Sequence, residues 1–197
     1  MISLITSIDH WLFTQINSIW VHPYLDIFFP FITDLHRQYT VVYLAFPALL
    51  VSCLYAYRGL ALKLIIGCLI AFGISDAINH RVYKPYFARQ RPSVVLKNAV
   101  LRTSVHSGYS FPSNHASNCF AVLVFLSCFT RYRFLLLTFA SLVAYSRVYV
   151  GAHFPADVIV GALSGTAIAL SLVWLIRKIK KQLDASAHAR RVRDIRF

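Results

Sequence analysis

Apolar residues run in long blocks along this chain, and polar residues gather in the joints between them. A helix that crosses a bilayer needs about 20 mostly apolar residues. Five blocks meet that length or come close to it: residues 39–57, 60–79, 112–130, 134–150 and 155–176. The third is polar at its start. The joints are short and basic or polar, except for one long hydrophilic connection over residues 80–111. The first 38 residues follow a different pattern. Ile5, Ile8, Leu12, Ile16 and Ile19 recur at helical spacing, while Ser3, Thr6, His10, Thr14, Asn17 and Ser18 occupy other faces. That pattern predicts an amphipathic helix lying in the membrane interface. It makes a poor secretory signal, because no basic stretch precedes it and Asp9 and His10 interrupt it. Residues 23–31 form a second apolar stretch, too short to span alone. A sixth span assembled from this N-terminal region is the alternative reading.

The pattern therefore predicts an all-α, polytopic membrane bundle of five transmembrane helices, with six as the alternative. Three parts follow: an interfacial segment (residues 1–38), a membrane-embedded domain (39–176) and a basic tail (177–197).

Composition supports this. The chain is 58% hydrophobic and only 14% charged, with a mean hydropathy of +0.60. Those values exclude a disordered chain, a disulfide scaffold and a water-soluble enzyme. There is no Glu, and seven Asp stand against 20 Lys and Arg, giving a net charge of +13. Basic charge alone would also suit a nucleic-acid binder, but the apolar blocks would bury the chain in lipid. The bilayer, not nucleic acid, is the expected partner. Oligomeric state is not encoded in any pattern here. Cys53, Cys68, Cys119 and Cys128 all fall inside apolar blocks at spacings that match no zinc site. They read as small core or lipid-facing residues.

Counting Lys and Arg sets the expected orientation. One side of the five-span topology receives Arg58, Lys63, Arg131, Arg133 and the eight basic residues of the tail, 12 in all. The other side receives eight: Arg37, Arg81, Lys84, Arg89, Arg91, Lys97, Arg102 and Arg147. The side with 12 is expected to be cytoplasmic, where the tail meets anionic lipid. Six of the eight outer charges crowd into the single connection 80–111. Charge held against the topological preference implies a task, and binding an anion is the simplest.

Three short clusters carry candidate chemistry, and the topology puts all three on the outer side. The first is Lys84 with Arg91-Pro92. The second is Pro112-Ser113-Asn114-His115, opening the third span. The third is Ser146-Arg147 with His153 and Asp157, bridging the fourth and fifth spans. Lys84, Arg91 and Arg147 are three cations able to surround one phosphoryl group. Pro112 and Ser113 look like a helix start, where free backbone N–H groups favour an anion. Asp157 follows His153 by four residues, close enough in a helix turn to hold its ring in one tautomer. A histidine so oriented can serve as nucleophile or base. Singly, each residue also reads as an interfacial anchor or a snorkelling cation. Together they demand a common explanation.

These clusters resemble the three signature motifs of the type 2 phosphatidic acid phosphatase (PAP2) superfamily of lipid phosphate phosphatases. The family pattern is Lys-x6-Arg-Pro, Pro-Ser-Gly-His and Ser-Arg-x5-His-x3-Asp. The first and third are complete here, and the second carries Asn114 in place of Gly. Asn tolerates unusual backbone angles better than most residues. The resemblance covers about residues 60–176, and residues 1–38 carry no part of it. It implies that His153 is a nucleophile forming a phosphohistidine. Asp157 is then its orienting partner, and His115 the general acid for the leaving oxygen. Lys84, Arg91, Ser113, Asn114 and Arg147 become the phosphate shell. It implies no metal and no cofactor, in keeping with the absence of a carboxylate cluster for Mg²⁺.

Further candidates surround this set. Asp76 and His80, four residues apart, suit either a supporting role beside the site or a plain structural pair. Arg89, Lys97, Arg102, His106 and Tyr109 suit headgroup or second-phosphate recognition, or mere contact with lipid phosphates. Gly161 and Gly165 form a G-x-x-x-G that points to close helix packing. The resemblance implies a membrane enzyme that removes phosphate from a lipid at the outer face of a bacterial cytoplasmic membrane. Candidate substrates are lipid A 1-phosphate, undecaprenyl pyrophosphate, phosphatidylglycerol phosphate and phosphatidic acid. The rival readings are a lipid phosphotransferase using the same phosphohistidine and a non-catalytic lipid-binding or transport protein.

Overall fold

The computed structural model describes residues 2–35, 38, 43, 44, 46–104 and 107–194. Part of the first expected span (residues 39–42 and 45), together with Arg37, His106 and Arg196, lies outside the described residues. Among the described residues all regular structure is helical. Helix α1 (Ile2–Thr14) runs on through a π turn (Gln15–Ile19), and α2 (Pro23–Thr33) follows. Helix α3 (Phe46–Ile78) continues into a π segment (Asn79–Tyr83) and the short α4 (Lys84–Phe87) and α5 (Pro92–Val95). Helices α6 (Asn114–Ser127), α7 (Arg133–Tyr149) and α8 (Pro155–Asp194) complete the chain.

Local chemistry explains the boundaries. Helix α2 starts after His22, which is extended and whose ring accepts the Tyr24 N–H, with Pro23 at the first helical position. Helix α3 is broken at Arg58, whose φ of 44° and ψ of −120° are not helical. The break falls where the basic joint between the first two apolar blocks was expected. Helix α6 has 14 residues, shorter than the apolar block 112–130. Ser113 is extended and caps the helix by accepting the Ala116 N–H, so Pro112 and Ser113 stay outside it. Helix α8 runs 40 residues and includes residues 177–194 of the basic tail.

Two helical stretches, Arg58–Val95 and Pro155–Ala187, are long and apolar enough to cross a bilayer. Much of the apolar surface of the long helices faces outward, including Leu62, Ile66, Leu69, Ile159, Leu163 and Trp174. Such a surface suits lipid rather than water.

Helix α6 sits at the centre, packed against α3, α7 and α8. Its contact with α8 is close because of the two glycines noted in the sequence. A methyl group on Gly165 would lie 2.1 Å from the Ser117 carbonyl oxygen, and one on Gly161 would lie 2.7 Å from that of Ser113. One core cluster, including Val124, Phe125, Ala169 and Val173, joins α6 to α8. A second gathers Phe13, Ile16, Phe29, Tyr149, Phe154 and Val158 at the opposite end.

The N-terminal region contributes more than an interfacial helix. Leu4, Ile5, Ile8 and Trp11 are exposed, whereas Asp9, Phe13, Ile16 and Asn17 are buried. The inward stripe is thus half polar. Its carboxylate and amide bond to the bundle, and much of the apolar face turns outward. Asn17 bonds Val100 from both ends of its amide and also the Tyr149 carbonyl.

Gly165→Ala is expected to destabilise the bundle by about 1–3 kcal/mol, because backbone must move to admit the methyl group. Gly73→Ala, with open space around it, is expected to be neutral or mildly stabilising. Thermal unfolding in detergent checks this; equal midpoints for the two variants would contradict the packing account.

Candidate active site

Four chain ends meet at one end of the bundle: the segment leaving α3, the start of α6, the end of α7 and the start of α8. The antiparallel order of α6, α7 and α8 makes this inevitable, since a chain that enters α6 here must finish α7 and begin α8 here. The three sequence clusters lie on these ends.

His153 sits in the turn between α7 and α8 and is 3% exposed. Gly151 makes that turn possible. Its φ is 82°, and a side chain there would meet the Val100 carbonyl oxygen at 2.4 Å. The backbone N–H groups of Ala152 and His153 bond back to the Arg147 carbonyl. Arg91 lies against His153, with Nη1 3.4 Å from Nε2. Arg91 is gripped by the carbonyls of Gly108 at 3.0 Å and Ala152 at 2.9 Å. Lys84 donates to the Tyr109 carbonyl at 2.7 Å, which Arg91 also approaches at 3.4 Å. Arg147 is fully buried at the end of α7 and donates to the Thr33 hydroxyl of α2. Lys84, Arg91, Arg147 and Asp157 all act electrostatically on one another or on His153. Arg91 and Arg147 thus act on the imidazole, and Lys84 lies within reach of both guanidiniums.

Their effects on protonation follow from burial and charge. Burial pulls His153 down to about 3, with Arg147 and Arg91 adding to the fall and Asp157 opposing it. The ring is neutral throughout the physiological range. Burial also pulls Lys84 down to about 8, reinforced by Arg91 and Arg147.

Asp157, in the first turn of α8, is completely buried, and its oxygens are well partnered. Oδ1 accepts from Arg89 at 2.6 Å. Oδ2 accepts the Phe154 N–H at 3.0 Å and the hydroxyl of Ser110. His153 Nδ1 is 3.7 Å from Oδ2, too long for a direct hydrogen bond. Ser110 lies between them, 3.3 Å from Nδ1.

Ser113, fully buried, caps α6, and its N–H bonds to the Asp157 carbonyl at 3.0 Å. His115 is in the first turn of the same helix and half-buried. Asn114 opens α6 beside the end of α3. Its amide nitrogen lies 3.1 Å from a His80 ring nitrogen and 3.5 Å from Asp76. His80 Nδ1 lies 3.3 Å from an Asp76 carboxylate oxygen, and Asp76 also accepts from Asn118 at 3.2 Å. This pair ties α3 to α6 beside the site.

Two headgroup candidates already have acidic partners. Arg89 is clamped between Asp157 and Asp9, each at 2.6 Å, with its guanidinium 4.2 Å above the Phe154 ring. Arg102 pairs with Asp26 at 2.7 Å and donates to the Asn17 carbonyl. Both are occupied because α1 and α2 bring Asp9 and Asp26 to the connection, a convergence the sequence pattern did not show. Tyr109 is exposed and meets Lys84 through its carbonyl. Lys97 is exposed.

Sequence reasoning missed four residues. Asp9 holds Arg89 and also accepts the Ala156 N–H at 2.8 Å, capping α8. Thr33 holds Arg147. Asn17 ties α1 to the connection at Val100. Ser110 bridges His153 and Asp157. The only signal available beforehand was Asp9 itself, an acid in an otherwise apolar helix. Among the described residues no group of three or more His, Cys, Asp or Glu comes together to hold a metal.

This arrangement is a neutral imidazole under the influence of Arg91 and Arg147, with Lys84 close to both, backed by a fully bonded carboxylate at the end of an apolar helix bundle. The chain belongs to the PAP2 superfamily, whose sequence pattern matches residues 60–181. A lipid A 4'-phosphatase of Porphyromonas gingivalis is 31% identical over 171 residues, covering 83% of this chain and 71% of that protein. Among solved structures, Aquifex aeolicus LpxE matches with a TM-score of 0.68 and 30% identity, over 82% of this chain and 92% of that one. A transmembrane PAP2-type phosphatidylglycerolphosphate phosphatase from Bacillus subtilis matches with a TM-score of 0.69 and 25% identity, over 89% and 88%. At the level of the family, this is a lipid phosphate phosphatase of the membrane.

Proposed function

We propose that the chain is a metal-independent phosphatase that hydrolyses a membrane lipid phosphate through a phosphohistidine on His153. The observation that carries this reading is the bare Nε2 of a buried neutral imidazole, 3.4 Å from Arg91 and under the influence of Arg147. Arg has only donors, so the Nε2 facing it is the unprotonated nitrogen. In the first step Nε2 attacks phosphorus and the P–O bond to the lipid breaks. His115 gives the leaving oxygen its proton. In the second step His115 takes a proton from water, the hydroxide attacks phosphorus, and the P–N bond breaks to release inorganic phosphate. Lys84, Arg91 and Arg147 stabilise charge on the equatorial oxygens, the work Mg²⁺ does elsewhere. A bound phosphate takes the place of backbone carbonyls that Lys84 and Arg91 now contact at Tyr109 and Ser107. Ser113 and the N–H groups opening α6 add donors.

The test is phosphate release from a panel of purified lipids in excess EDTA: lipid A 1-phosphate and 4'-phosphate, undecaprenyl pyrophosphate, phosphatidylglycerol phosphate and phosphatidic acid. Turnover of at least one without metal is expected. Strict dependence on Mg²⁺, or transfer of the phosphate only to a second lipid, would contradict the reading.

A pH effect follows from Lys84. Its pKa lies below the usual lysine value, at about 8, so the free enzyme loses this charge as pH rises through that value. kcat/KM is expected to fall on the alkaline side accordingly. Lys84→Arg keeps its charge and is expected to move that limb to higher pH. An unchanged limb would show that Lys84 does not set it.

We further propose, from the five-span reading of the sequence and its Lys and Arg distribution, that the site faces outward from the cytoplasmic membrane and the tail lies in the cytoplasm. A single Cys at Val95 of a Cys-free variant is expected to label from outside intact cells, and one at Ala187 only after permeabilisation. The reverse pattern would overturn the orientation.

A further inference from the structure

We infer that Ser110 is a positioning residue for His153, its hydroxyl forming the link through which Asp157 fixes the imidazole tautomer. The inference rests on the reading of His153 as the nucleophile. The hydrogen positions follow from which atoms can donate. Arg91 is donor-only, so Nε2, 3.4 Å from its Nη1, is the acceptor nitrogen. The ring proton of the neutral imidazole is then on Nδ1. Nδ1 is 3.7 Å from Asp157 Oδ2 and 3.3 Å from Ser110 Oγ. The hydroxyl is therefore the atom within bonding reach of the Nδ1 proton. Ionised Asp157 can only accept, so the Ser110 hydroxyl proton points to Oδ2. The chain of donors reads His153 Nδ1–H to Ser110 Oγ, and Ser110 O–H to Asp157 Oδ2. One arrangement of protons satisfies all three groups, and it leaves Nε2 bare.

Ser110 is built for this. It is fully buried, and its backbone N–H bonds to the Arg89 carbonyl at 2.7 Å. Arg89 in turn holds Asp157 by its guanidinium at 2.6 Å. Backbone and side chain of Ser110 are thus fixed by groups that also fix the carboxylate. As the P–N bond forms, the imidazole gains positive charge while keeping its Nδ1 proton. The Ser110–Asp157 link then faces a charge it can stabilise without moving.

The test combines kinetics with ¹⁵N-histidine NMR, His153 being assigned from His153→Gln. In the wild type, Nδ1 is expected to be protonated and Nε2 bare. Ser110→Ala is expected to show mixed tautomers at His153. Its kcat is expected to fall on the order of 10- to 100-fold, the usual cost of losing a partner behind a ligating histidine. KM should hold within about twofold, because the phosphate donors are untouched. Ser110→Thr keeps the hydroxyl and is expected to restore most of kcat and the single tautomer. In an Asp157→Asn background Ser110→Ala is expected to cost much less, because both act through one ring.

An unchanged His153 spectrum in Ser110→Ala with kcat within about twofold of wild type would overturn the inference. So would fully additive losses in the double variant. If Ser110→Ala does not fold, a protonated Nε2 in the wild type would overturn it alone. An active His153→Gln would instead defeat the nucleophile reading and leave the tautomer result standing.

Discussion

The arrangement depends on burying one carboxylate. Asp157 has no exposed surface, and a charge removed from water must be met by donors or it destabilises the fold by several kcal/mol. Four donor groups surround it here: the Arg89 guanidinium, the Phe154 N–H, the Ser110 hydroxyl and, at longer range, the His153 ring. Arg89 and Ser110 come from separate parts of the connection before α6, and His153 and Phe154 from the turn before α8. Satisfying Asp157 therefore orders the connection before α6, the turn before α8 and the imidazole together. Arg89 extends the network to Asp9 on α1, so the N-terminal helix is bound to the same carboxylate at one remove.

Charge around His153 is lopsided. Arg89 is shared by two carboxylates, while Lys84, Arg91 and Arg147 lie within one another's electrostatic reach at the same end of the bundle. Burial lowers the pKa of both His153 and Lys84, and the neighbouring guanidiniums of Arg91 and Arg147 add to the fall. Cations held partly out of water favour an incoming phosphate, whose negative charge they meet there. A neutral imidazole beside buried cations and a bundle surface suited to lipid are compatible demands. The polar groups sit where the helices end, and the apolar shafts carry them to membrane depth.

The sequence showed the fold class and the motif residues for physical reasons that can be named. Long apolar blocks admit little but helices, and the clusters at 84–92, 112–115 and 146–157 fall at the joints, so topology alone brings them to one end. Arg58 marked a joint that the structure keeps as a break in α3. What was hidden lies in side chains whose partners are distant along the chain. Asp9 meets Arg89, Thr33 meets Arg147 and Asn17 meets Val100. No periodicity reports such pairs. The N-terminal helix was read with its isoleucines as the defining face. In a lipid-facing protein the buried face can be the polar one, and Asp9 and Asn17 occupy it. Arg89 and Arg102 looked available for headgroups because their acidic partners belong to helices that carry no motif. Ser110 was passed over because serine is common in loops and its meaning comes only from the 3.7 Å gap it spans.

The central claim is that Nε2 of His153 takes the phosphoryl group. The most direct measurement is rapid acid-free quenching after mixing with a ³²P-labelled lipid phosphate, followed by a test of the label's stability. The account predicts label on the protein that survives base and is lost in acid, present in the wild type and absent from His153→Ala. Label that persists in His153→Ala with the same acid lability would contradict it.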